Sequence, residues 1–380
     1  MPTGNGRRNV FLDASESFVT FTLKNLAAGN LNVDSTAYSL FDSLTTVAGG
    51  NVLEQISDYG SFVNTLIDAQ MNNQDVMCAG SVYLGSTYSA TGNVDKTGRQ
   101  LAQNAVLDCA LPLVGSGIFS GAASRHIPVG AMSDLRLELV MASAASGVVA
   151  AAASNYRIEN VTLNLTYTEI DGAMAEQIAA ATGGVYRVST EGWRVYSTVT
   201  AANRTADSIL IPARFSSVKT LGAYFRLNAD VVSQVQYSQS NRVNPLYSAT
   251  GVKCSAQFQV GSALLPQQPL SNQSEIYQML RQAFHALGDV SSAGRIQITS
   301  WINAAQTAVS DVIGTFVLAV NADQIIGKNS SMTSGFSTLS SPVVLALTYP
   351  ADPGVAHRVN TFAHYDAVLE VGPDGVFMRY

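Results

Sequence analysis

The residues able to do chemistry are few and scattered. The four histidines are His126, His285, His357 and His364. His357 and His364, with Asp366 nearby, have the chemistry of metal ligands. An odd number of positions separates the two histidines, so on one extended strand they point to opposite faces. His364 and Asp366 do share a face, yet two ligands make no metal site. Two carboxylate pairs, Glu54 with Asp58 and Glu169 with Asp171, have the residue types of a general acid and base. Pairs this close arise without purpose in a chain with 27 acidic residues. Glu169 and Asp171 read as polar positions at a strand end.

Other candidates are weaker. Cys78, Cys109 and Cys254 are too few and too far apart for a disulfide framework or a zinc site, and read as reduced and mostly buried. Gly115 to Gly121 is glycine-rich, but its third glycine comes one place late for a dinucleotide fingerprint and no βαβ unit surrounds it, so it reads as a loop between strands. The phosphate-binding GxxxxGK[ST], HExxH and GxSxG patterns do not occur. Sequons at Asn160, Asn164, Asn203, Asn272 and Asn329 are expected by chance in a chain rich in Asn, Ser and Thr. Arg7 and Arg8 could touch phosphates or lipid headgroups, but two charges supply little affinity. We therefore expect no catalytic, cofactor-binding or metal-binding residues and no cofactor. A long chain without a convergent site reads as a scaffold or shell rather than an enzyme.

The elements that would position such residues are mostly strands. Of 380 residues, 13% are charged, about half the usual share, and 47% are hydrophobic. This excludes a disordered polyelectrolyte and a long coiled coil. The net charge of −6 argues against a general polyanion binder. The polar start predicts no secretory signal, no apolar run is long enough to span a bilayer, and synthesis in a cytoplasm is the expectation. Apolar and polar residues alternate over Ser17–Leu23, Leu135–Leu139, Val161–Tyr167 and Val195–Val199, the pattern of antiparallel strands with one buried face. Helical spacing appears over 58–72 (Phe62, Val63, Leu66), 274–288 (Ile276, Met279, Leu280, Phe284) and 173–181. Ser57 or Asp58 could cap the first and Ser274 the second, with Gly288 ending it. The first two are expected to pack on their own modules.

Each of these two helices follows a strand and a glycine turn. Tyr156–Glu169 and His357–Val371 are similar strands, each preceded by another alternating one. The order predicts one β module used twice, with residues 1–171 as the first, 172–184 as the linker and 185–380 as the second. Long polar stretches at 72–104, 228–253 and 289–311 are expected to make contacts between subunits.

Several segments, in order, resemble the double jelly-roll major capsid proteins of tailless icosahedral DNA viruses. Phe11–Phe21 is similar to their first strand, and Asn51–Gly60 to their strand-to-helix passage. Asp134–Leu139 with Tyr156–Glu169 resembles the close of the first jelly roll, and Ile209–Lys219 an early strand of the second. Gln257–Ser262 with Leu265–Leu270 and the helix from Ser274 resembles a segment of the eukaryotic-virus branch, and Thr361–Leu369 the final strand. The resemblance implies an all-β fold of two tandem eight-stranded jelly rolls with a few short helices. It implies a homotrimer with a pseudo-hexagonal outline that tiles an icosahedral shell in a virion. Neighbouring capsomers, penton and minor capsid proteins would be its partners, with genome or an inner membrane touched through Arg7 and Arg8. The alternative is a tandem β-sandwich receptor- or carbohydrate-binding protein, in which Trp193 and Trp301 would be the residues to watch.

Overall fold

The computed structural model describes residues 9–71, 79–85, 101–119, 126–132, 134–143, 148–150, 155–230, 240–284, 296–302, 313–323 and 335–380. Cys78, His285, Arg7, Arg8, Asn329, Gly121 and Gly288 lie outside these residues, as do most of 72–104 and 289–311.

The expected alternation produces the strands. In β1 (Val10–Asn25), Val19, Phe21 and Leu23 turn inward, and Phe18 faces solvent. The following strands are β2 (Leu31–Val33), β3 (Phe41–Ala48), β4 (Asn51–Ser57), β5 (Val106–Pro112), β6 (His126–Ile127), β7 (Leu135–Met141), β8 (Val148–Ala150) and β9 (Tyr156–Glu169). Strand β1 lies between β9 on one side and β5 and β6 on the other; β4, β3 and β7 form the facing sheet.

After residue 184 come β10 (Tyr186–Val199), β11 (Ala206–Ile211), β12 (Val218–Leu227), β13 (Ser255–Val260), β14 (Ala263–Leu270), β15 (Leu318–Asn321), β16 (Val343–Thr348), β17 (His357–Gly372) and β18 (Gly375–Arg379). They form two sheets, β10-β17-β12-β15 and β11-β16-β13-β14, with β18 added to β17. Apart from the β13–β14 and β17–β18 hairpins, successive strands cross from one sheet to the other, which wraps the chain around a single core. Strands β10 and β17 pair in unbroken register from Tyr186 opposite Val371 to Val199 opposite Arg358. The stretch Ile209–Lys219 is two strands rather than one: Pro212 follows β11, lacks the N–H a ladder needs, and the chain leaves the sheet until Val218.

The hairpin–helix unit occurs twice. Strands β3 and β4 turn at Gly49 and Gly50 (φ 57° and 82°), a left-handed pair that suits a two-residue hairpin, and run into α1 (Tyr59–Gln70). Strands β13 and β14 turn at Gly261 and run into a helix at Gln273–Ala283. Between the units lies α2 (Gly172–Ala181), ended by Gly183 and Gly184 at positive φ; the Gly184 N–H bonds to the Ala179 carbonyl at 2.8 Å. The helix at Gln273–Ala283 is α3.

Two helix details differ from expectation. The cap of α3 is Asn272, not Ser274: Asn272 is extended and its Oδ1 accepts from the Glu275 N–H at 3.0 Å, while Glu275 accepts from the Ser271 N–H at 2.8 Å. Asp58 does stand at the N-cap of α1, in the left-handed region at φ 49°, but its side chain makes no cap bond because arginines claim it.

Candidate functional site: the seam between the two sandwiches

Helix α1 is buried from Tyr59 to Ala69, polar residues included. It does not pack on its own module alone. Phe62 lies 5.3 Å from Trp193 and 5.8 Å from Phe362, ring centroid to centroid, both on strands after residue 184. The helix is a wedge between two sandwiches: Asn64 bonds within the first half, to Thr36 and the Asp34 carbonyl, while Thr65 and Asp68 meet Arg242 from the second.

Asp58 is the centre of this arrangement. Its Oδ1 accepts from Arg226 Nη2 at 2.7 Å, its Oδ2 from Arg358 Nη2 at 2.9 Å and from Asn360 Nδ2 at 2.8 Å. Arg226 also donates to Asn360 Oδ1 at 3.1 Å. Burial alone would push the Asp58 carboxyl up; Arg226 and Arg358 outweigh it and hold it below its ordinary value. One helix length further, Asp68 pairs with Arg242, whose Nη1 donates to Thr65 Oγ1 at 3.3 Å. Ser240 donates to Asp34. Arg226 and Arg242 are among the largest fully buried side chains among the described residues.

A second line of contacts runs beside it. Buried Glu54 accepts from Thr46 Oγ1 at 2.9 Å, from Ser116 Oγ, and from the Gly117 N–H at 2.5 Å. Burial raises its carboxyl in spite of these donors. The Gly117 carbonyl accepts in turn from Thr190 on β10. A Cβ at Gly117 would sit 3.1 Å from both the Glu191 carbonyl and Glu54 Oε2, so a side chain here would push the loop and β10 apart by a few tenths of an ångström. Lys219 bridges Glu191 (2.5 Å) and Asp366 (2.8 Å), and His364 pairs with Glu191 at 3.2 Å while stacking on Trp193 at 4.1 Å. The hydrogen bond from His364, joined by Lys219, lowers Glu191 to about 2. Last, Tyr380 Oη donates to the Leu53 carbonyl at 2.6 Å and Asn51 Nδ2 to the Val376 carbonyl at 3.1 Å.

What this seam does is set an angle. A buried ion pair adds little net stability over a well-packed apolar contact, but separating its members strands a charge at about 3–5 kcal/mol. Rotating one sandwich against the other would strand Asp58, Arg226, Asp68 and Arg242 together. The two bodies are thus held in one orientation by chemistry that tolerates no slip.

The sequence candidates are distributed accordingly. Glu54 and Asp58, read as incidental, are both in the seam. His364 and Asp366 share a face as expected and join one network through Glu191 and Lys219. His357 faces away from them, buried, with Arg204 Nη2 at 2.7 Å from its Nδ1. His126 is exposed on β6, and Glu169 accepts from Asn9 Nδ2 at 3.0 Å. Asp171 is the residue before α2. Cys109 and Cys254 are buried and are not joined in a disulfide. Gly115–Phe119 is a loop after β5, but a buried one. Among the described residues, no three His, Cys, Asp or Glu side chains are placed to hold a metal ion, and no helix is long and apolar enough to cross a membrane. In the 228–253 stretch, residues 240–246 are buried, with Ser240 and Arg242 turned to Asp34 and Asp68 across the seam, whereas 228–229 and 249–253 are exposed.

No protein-family model matches the chain. No curated protein matches it by sequence. Solved structures do match over its full length. A crystal structure of PBCV-1 VP54, fitted into a reconstruction of the virophage Sputnik, aligns with a TM-score of 0.62 at 12% identity, covering 98% of this chain and 91% of that one. The fold is a double jelly roll. The Faustovirus major capsid protein gives a TM-score of 0.58 at 9% identity over 96% and 86% of the two chains. The mavirus major capsid protein gives 0.50 at 10% over 100% and 86%. The tandem jelly rolls expected from the sequence are therefore present, and the seam is the joint between them.

Proposed function

We propose that the chain is the structural building block of an icosahedral virus shell, a major capsid protein acting as a homotrimer and not as an enzyme. The observation that carries this reading is the match along nearly the whole chain to the VP54 structure. The seam supports it: a block that tiles a shell must present its two jelly rolls at a fixed angle, so that three copies offer six similar modules. Its place is the virion capsid, after synthesis in a host cytoplasm. Its partners are neighbouring copies, with penton and minor capsid proteins at special positions. The arm bearing Arg7 and Arg8 lies on the inner side, toward genome or membrane.

We assign residues 1–171 to the first jelly roll, 172–184 to the linker and 185–380 to the second. In support, every strand pairing among the described residues stays on one side of 172–184. The carbohydrate-binding alternative lacks a comparable observation. Trp301 is buried and donates to Gln273 Oε1 at 3.0 Å, and Trp193 has His364 on its ring.

Native mass spectrometry and negative-stain microscopy of the purified chain test the reading. A species of three times 40.1 kDa, with pseudo-hexagonal outline, is expected. A monomer at micromolar concentration that forms no particles overturns it.

A further inference from the structure

The outer wall of the second jelly roll differs chemically from the matching sheet of the first. In the β11-β16-β13-β14 sheet, inward positions such as Ile209, Leu345 and Phe258 fill the core. The outward positions form register rows across the strands. One row is Leu210, Val344, Gln259 and Leu264; the next is Ser208, Ala346 and Gln257. Neither row contains a charge. Leu210 is 62% exposed and Leu264 40%. The corresponding sheet of the first jelly roll is ordinary: Arg136 and Glu138 stand outward on β7 and pair with each other at 3.1 Å.

A solvated sheet face is normally defended against association by charge, above all lysine. Here that defence is missing over four strands of about six residues. At ~4.8 Å between strands and ~3.3 Å per residue, the face measures about 20 by 20 Å, or roughly 400 Å². That is half of the ~800 Å² a partner contributes to a standard interface, the size of its dry centre rather than of the whole. Interface centres are the places where charge is depleted.

The occupant follows from charge. Nucleic acid or an anionic membrane needs cations, and a basic protein needs carboxylates; these rows offer neither. Another copy of this chain, itself at −6, is repelled by acidic surface and is opposed least where no charge stands. We infer that the outer face of β11-β16-β13-β14 is covered by a second copy of the chain in the assembled trimer. This rests on the shell reading above and specifies where the copies meet.

The test uses the full chain. Leu210→Glu and Ala346→Glu each place a carboxylate on the face without touching the core, and Val140→Glu places one outward on β7 as a control. Native mass spectrometry and sedimentation should show each of the first two weakening self-association by at least about a hundredfold, since a buried unpaired charge costs several kcal/mol, while the control matches wild type. Circular dichroism checks that the variants fold. Should they not, carbene footprinting of the wild-type oligomer must show β11 and β16 protected relative to the diluted monomer. A wild-type oligomer with neither protection nor sensitivity to Leu210→Glu overturns this inference and leaves the shell reading standing. A wild-type monomer overturns both. Vesicle or DNA binding abolished by Leu210→Glu assigns the face to that occupant instead and overturns the inference.

Discussion

The hairpin–helix unit is built twice and used in two ways. After β13 and β14, α3 behaves as a surface helix: Ile276, Leu280 and Ala283 face inward, and Ser274, Glu275 and Gln278 face water. After β3 and β4, α1 has no wet side until Gln70. One helix covers its own sandwich; the other is swallowed between two. A repeated unit can therefore become a joint when its outer face, instead of carrying solubilising charge, carries Thr65 and Asp68 where Arg242 of the second body meets them, while Asn64 accepts from Thr36 within the first. The cost is that each must be satisfied, and the second jelly roll supplies Arg226, Arg242, Arg358 and Asn360 for this purpose or for the Asp58 cap.

The largest expected effect comes from unpicking that joint. Asp58→Asn keeps the shape and tolerates the left-handed backbone, but it removes the charge that Arg226 and Arg358 share. We expect a loss of about 3–5 kcal/mol in urea unfolding at fixed protein concentration. A loss under about 1 kcal/mol would mean that the seam is wet and does not set the angle.

Phe62→Ala is expected to cost about 3–5 kcal/mol and Leu280→Ala about 2–5. Their reach separates the two helices better than their size. Phe62 is fully buried against Trp193 and Phe362, so its loss should speed hydrogen exchange in α1, β10 and β17 together. Leu280→Ala should act within the second jelly roll alone. Equal patterns for both would erase the distinction.

Acid should sharpen the comparison further. Burial, aided by the Arg204 charge, lowers His357 from 6.5 to about 4. The folded state thus refuses a proton that the unfolded state takes. Stability is complete above pH 6.5 and falls as pH drops toward 4, by on the order of 3 kcal/mol. Asp58 titrates the other way in chemistry but with the same sense. Its depressed carboxyl supports the fold above its unfolded value of 3.8 and fails only below that. Between pH 6.5 and 4 the second jelly roll should weaken while the seam holds, and His357→Phe should flatten this part of the profile. A decline that survives His357→Phe would locate the acid-sensitive group elsewhere.

Much of the fold was legible because a single sheet face buried against a core writes itself as alternation. Strands β1 and β7 show it, whereas in β9 the alternating Val161 and Tyr167 are exposed, as is Val199 at the end of β10. The seam was not legible, for a physical reason. Its partners are distant in sequence, and each looks ordinary alone: Asp58 resembled a helix cap and Glu54 a chance neighbour of Asp58, and Arg226 carries no local signal. Buried charges announce themselves only through geometry. The one local sign was α1 itself, whose sequence over 59–70 holds a single charged residue, Asp68, and no solvent-facing stripe. Likewise residues 240–246 looked like a surface loop because Ser, Asn and Arg normally face water, whereas here Ser240 donates to Asp34, Arg242 pairs with Asp68, and Asn244 donates to Gln273 and the Trp301 carbonyl.

The smallest effect concerns how the two helices begin. Asn272 caps α3 through one bond to the Glu275 N–H, on an exposed turn. Asn272→Ala removes that bond and leaves the N–H to water, so about 1 kcal/mol should be lost, with the effect confined to the first turn of α3. The same position in α1 is Asp58, where no cap bond exists to lose and the carboxylate serves Arg226, Arg358 and Asn360. Paired measurement of Asn272→Ala and Asp58→Ala thus compares one chain position doing two jobs. If capping were the shared role, the losses would agree within a few tenths of a kcal/mol. If α1 is held by the seam, Asp58→Ala costs several times more, and added salt leaves that difference in place because the pairs are buried and poorly screened.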